Sequence, residues 1–138
     1  MDFSNVNVWA VLCSAVVSWG FGALWYSPVL LGKKWQRELD FTDEYLQKAN
    51  MPLIFGTSFL LMLFMAIGMS FLINIHGENS IDWIEGMLHG LYMAVFFVAM
   101  GTGINYLYQR KTIKLFIIDA TYLTAILMIM GAIIGAWR

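Results

Sequence analysis

Four apolar runs dominate the chain, at about Val6–Ser27, Leu53–Ile75, Ile84–Leu107 and Leu115–Trp137. Each is about 20 residues long, enough for a helix to cross a hydrocarbon core of roughly 30 Å. Within lipid every backbone N–H and C=O must find its partner inside the segment, so these runs are expected to be helices and not strands. Of the 138 residues, 60% are hydrophobic and only 12% charged, with a mean hydropathy of +0.70. A soluble domain carries about twice that charged fraction. The expected fold class is an all-α integral membrane protein with four transmembrane helices, residues 1–138 forming a single transmembrane domain whose first partner is the lipid bilayer. The net charge of −1 points away from nucleic acid. The single cysteine, Cys13, excludes an intrachain disulfide, and no cofactor is implied. The N-terminus lacks a basic region and a small-residue cleavage site, so the first run reads as a retained span.

Loops decide the orientation. The only sizeable one, residues 28–52, starts with Lys33, Lys34, Trp35 and Arg37, the pattern of a short amphipathic helix lying in the interface. A second helix start follows at Thr42-Asp43-Glu44, with Thr42 as N-cap. Loop 108–114 adds Arg110, Lys111 and Lys114. The loop between the second and third spans carries His76, Glu78 and Asp82 but no Lys or Arg. Seven cations thus share one side against Arg138 on the other. The positive-inside rule then puts loops 28–52 and 108–114 in the cytoplasm and both termini outside, in a multi-pass protein of the cell's inner (plasma) membrane.

Ionisable groups inside a span default to functional hypotheses. Glu85 and His89 sit one turn apart on the third span, near its outer end. Such a pair could hold a divalent metal or relay a proton; with no third ligand fixed, no metal site is assigned. Asp119 lies about one turn into the fourth span from the cytoplasmic side. It is level with Thr57 and Ser58 of the second, with Tyr26, Ser27 and Asn105 nearby. By helical rise, His89 and Asp119 are roughly 18 Å apart and do not form a direct pair. Glu85, His89, Asn105 and Asp119 are therefore the candidate pore or polar-network residues. Tyr106, Tyr108, Trp9, Trp83 and Trp137 fall where interfacial aromatic belts are expected. Small residues recur at contact spacing: Ser14, Ser18 and Gly22; Gly86, Gly90 and Ala94; Gly131 and Gly135. Three such ridges among four helices leave surfaces spare, which favours self-association.

The first-span exit, GALWYSPVLLGKKW, resembles the hallmark of the membrane-protein family called domain-of-unknown-function 1761. The signature residues are Trp25, Tyr26, Ser27 and Pro28, followed by Gly32, Lys33 and Trp35. The resemblance extends to Asn105-Tyr106, Lys114-Leu115-Phe116, Gly131-Ala132 and Trp137-Arg138, and so covers nearly the whole chain. It departs at Leu123, where many relatives carry a polar residue. It implies four spans and a membrane location and no particular activity. Two readings of function stay open. One is a homo-oligomer conducting ions or small solutes, with the pore on the oligomer axis because four helices enclose too little volume. The alternative is a non-conducting structural or accessory membrane protein. No nucleophile–base pair, HExxH or phosphate loop occurs, so no catalytic residue is assigned and no enzyme is expected. The WYSP turn is expected to pack, aromatics inward, against the cytoplasmic ends of the third and fourth spans.

Overall fold

The structure, a computed structural model, describes residues 6–75 and 81–137. Among the described residues, four helices are long and apolar enough to cross a membrane: Val8–Trp25, Met51–Asn74, Trp83–Tyr108 and Ile113–Ala136, the first to fourth spans. The protein is an all-helical, four-span membrane protein, as the apolar runs imply. Asn7, Asn50, Asp82 and Thr112 cap the N-termini, each side-chain oxygen accepting from backbone N–H groups of the first turn. Asp82 therefore belongs to the start of the third span, while His76 and Glu78 lie outside the described residues.

The first loop carries two short helices, Gly32–Glu38 and Asp43–Gln47, the second starting where the sequence reads Thr42 as an N-cap. Thr42 caps the second through Tyr45 N. Asp40 ends the first in the left-handed region, φ 55°, with Phe41 N donating to Gln36 O and Asp40 N to Arg37 O. This is a Schellman stop with Asp where Gly is usual. Arg110 closes the third span in the same way, φ 56°.

The fourth span is the axle of the bundle: it packs on the first, second and third. Its tightest partner is the third span. There the small residues have a spatial reason. A Cβ added to Gly86 would stand 2.2 Å from Gly131 O, one on Gly90 2.1 Å from Leu127 O, and one on Gly135 2.5 Å from Asp82 O. Each step of four along the third span meets a step of four back along the fourth, so two backbones touch in register over two turns. On the first span Ser14, Ser18 and Gly22 are buried as well. Ser18 Oγ donates to Ile126 O at 3.5 Å, and Gly22 makes room for Tyr122. The ridges are thus used up within one chain.

Beyond Ala94 the third span widens into a π-helical stretch, Ala94–Ala99, before resuming as an α-helix. A π turn changes the phase of everything beyond it. The glycine seam stops there, and the loop-helix end of the bundle opens.

Candidate functional site

The site grows out of the loop that leaves the first span. Ser27 Oγ donates to Leu24 O at 2.7 Å, taking one of the last-turn carbonyls, and Pro28 forgoes a backbone donor that the turn does not need. The chain then folds back so closely that Leu31 N reaches Trp25 O and Gly32 N reaches Ser27 O. A Cβ on Gly32 would lie 2.2 Å from Tyr26 O, so only glycine fits. This return brings Trp35 edge-on to the Tyr26 ring, centroids 5.5 Å apart, while Tyr122 packs on it at 4.9 Å. Tyr26 is held between them and points into the bundle.

Its hydroxyl donates to Asp119 Oδ1 at 2.6 Å. From the third span, Tyr106 donates to Asp119 Oδ2 at 2.5 Å. Asp119 is 8% exposed. Two phenols, one on each oxygen, engage the carboxylate as an acceptor and leave about two of its four lone-pair sites unused. Among the described residues no Lys, Arg or His side chain lies within ion-pair distance of it. A carboxylate removed from water keeps a large desolvation cost that neutral donors offset only in part.

Asp119 lies at the back of a cavity of about 890 Å³. Trp19 and Phe55, edge to face at 5.8 Å, form one wall, and Trp19 Nε1 donates to Phe55 O and Ser58 Oγ. Trp35 and Gln36 of the first loop helix, and Leu39 just after it, also line the cavity. That helix is tied to the start of the fourth span where Thr112 Oγ1 donates to Glu38 Oε2. The second span meets the third to any extent only along Trp83–Met93. At the cavity end the seam between these two spans is therefore unpacked.

The residues singled out from sequence separate into three places. Tyr26 meets Asp119 directly. Trp25 lies half-buried against Phe21, 5.6 Å between centroids, with its indole Nε1 buried and without a hydrogen-bond partner. Ser27 and exposed Pro28 shape the turn. Asn105 is exposed, lines the cavity, and makes no hydrogen bond to Asp119; its neighbour Tyr106 makes that contact instead. Tyr106 was expected only in an interfacial belt, and that expectation is corrected. Thr57 is exposed, whereas Ser58 faces the cavity. Glu85 and His89 lie toward the opposite end. Glu85 is exposed, and His89 Nδ1 sits 2.7 Å from the main-chain oxygen of Glu85. Among the described residues no three His, Cys, Asp or Glu side chains group at metal-binding range. Sequence reasoning missed Tyr106 and Tyr122. The one signal for them was their placement a few residues from Asn105 and Asp119.

The fold and site define a small four-span membrane protein with a carboxylate-floored cavity at one end. The sequence model described as "Protein of unknown function (DUF1761)" matches residues 9–135, and the chain belongs to that family. No curated protein and no solved structure matches it.

Proposed function

We propose that the protein binds a small molecule within its own bundle, in the cavity floored by Asp119. One observation carries this reading: a buried carboxylate, held by two phenols and facing about 890 Å³ of aromatic-walled space, has no basic partner among the described residues. Pockets of this size, apolar with a few convergent polar groups, are the usual form of ligand sites. The reading is one of binding and not catalysis, because Asp119 is engaged by phenols and pairs with no nucleophile. The cavity end, with its loop helices, faces the cytoplasm in this proposal and the termini the other side, supported by the seven cations of loops 28–52 and 108–114. A reporter fused after Arg138 checks that orientation; a cytoplasmic signal would overturn it.

Native mass spectrometry from lipid nanodiscs tests the binding. The wild type is expected to carry a small-molecule adduct that Ser58→Trp, which fills the cavity, loses. Equal adducts in both, or none in either, would refute the reading.

A second reading is the homo-oligomer conducting along its symmetry axis. Exposed Glu85 beside His89 on the third span is what favours it, since a polar pair on a lipid-crossing helix invites a water-filled neighbour. Asp119 fits that pore less well, being enclosed within one subunit. A monomer in detergent would remove this reading. If a ring is found, liposome flux unaffected by His89→Ala and Asp119→Asn would remove those residues from its path. A folded protein with neither adduct nor flux supports the structural or accessory role.

A further inference from the structure

The chemistry of the cavity narrows what it holds. From Asp119 and the rings around it we infer that the ligand is an organic cation, an amine or quaternary ammonium compound carrying apolar bulk. This rests on the binding reading above.

Three observations converge. The negative group comes first. Asp119 accepts from Tyr26 and Tyr106, and both donors are neutral. They orient the carboxylate without compensating its charge, and an anion in low dielectric gains most from a cation placed on its free lone pairs.

Second, the walls suit a cation and not an anion. Trp19, Phe55, Trp35 and Tyr26 border the cavity, and aromatic faces attract alkylammonium groups through the ring quadrupole. These rings border it in different planes: Trp19 lies at an interplanar angle of 79° to Phe55, and Tyr26 at 67° to Trp35.

Third, the basic side chains stay at the margin. Lys33 borders the cavity but is exposed on the loop helix, and it makes no ion pair with Asp119. A lysine able to neutralise Asp119 would have made an exogenous cation redundant.

The ligand would therefore place its ammonium against Asp119 and its apolar body along Trp19, Phe55 and the unpacked seam between the second and third spans. No chemical step is implied.

The test uses full-length protein in nanodiscs and an isosteric pair of probes: benzyltrimethylammonium, and neopentylbenzene, in which carbon replaces the charged nitrogen. Calorimetry, with tryptophan fluorescence as a second readout, is expected to show the cation binding about tenfold or more tighter than the neutral probe. Asp119→Asn, nearly isosteric, is expected to abolish that preference and leave the neutral probe within about twofold of its wild-type affinity. Should Asp119→Asn fail to fold, judged by helical circular dichroism, Trp35→Leu replaces it. That variant should lower cation affinity several-fold more than neutral affinity. Equal binding of both probes overturns the cation assignment while sustaining a binding cavity. The same holds if neither probe binds but the native adduct is seen. If the adduct is missing as well, the binding reading itself has failed.

Discussion

The two ends of the bundle are built from opposite materials. At the Asp82–Gly90 end the third and fourth spans meet through glycines, backbone against backbone, and a single added methyl group would overlap a carbonyl. At the loop-helix end the same two helices meet through side chains instead: the Phe116 ring stands 3.2 Å from where a Cβ on Gly103 would lie, and Tyr106 reaches across to Asp119. Without a hydrophobic drive between helices in lipid, close approach has to come from small side chains. Where large ones stand, space remains and polar contacts supply the order. Closure at one end goes with a cavity at the other. The seam fixes the third span to the fourth, and the π-helical stretch then frees it to present Tyr106 to Asp119.

The seam is where this contrast breaks most easily. Gly90→Leu or Gly131→Leu should cost about 3 kcal/mol, because the obstructing atoms are backbone and cannot turn aside. Thermal unfolding in detergent reads this as a collapse of folded yield. Gly101→Ala, with nothing within 4 Å of the new methyl, should change stability by no more than about 1 kcal/mol, in the stabilising direction. If Gly90 and Gly131 tolerate leucine as Gly101 tolerates alanine, the seam is not the closing device.

At the open end the effects should be smaller. Asp119→Ala leaves two phenols without their acceptor and should destabilise by about 1–3 kcal/mol, visible in the same melts. Tyr106→Phe and Tyr26→Phe should each cost about 1 kcal/mol. In the Asp119→Ala background both should cost almost nothing further, which a double-mutant cycle measures. Additive losses would show that the three residues do not act as one unit. Smallest is Asp40→Gly in the loop helix stop. Relieving a non-glycine left-handed residue should raise stability by up to about 1 kcal/mol, with no effect on either end of the bundle.

Much of the architecture is legible in the residues alone. Runs of about 20 apolar residues leave a chain in lipid no option but helix. The cap at Thr42 follows from a side chain short enough to reach its own backbone, whereas the caps at Asn50 and Asp82 came from the structure. Asp119 draws notice because a carboxylate inside a span is costly. The signature WYSP…G-K-x-W marks a turn, and the fold explains its parts: Gly32 permits the return, Trp35 braces Tyr26, and Tyr26 reaches Asp119.

What sequence could not decide was which face each helix turns to which neighbour. Helices uniformly apolar around their circumference carry almost no periodic signal of facing. Glycine ridges read equally well as surfaces for another copy or for the next span. Register between two helices depends on packing summed along both, and a π turn at Ala94–Ala99 that shifts the phase of Tyr106 has no local motif to announce it. Sequence by itself therefore determined that the chain spans the membrane four times with a carboxylate in the fourth helix. Only tertiary structure decided that two tyrosines from other helices hold that carboxylate at the back of a cavity, because their meeting is a property of helix rotation and not of any one segment.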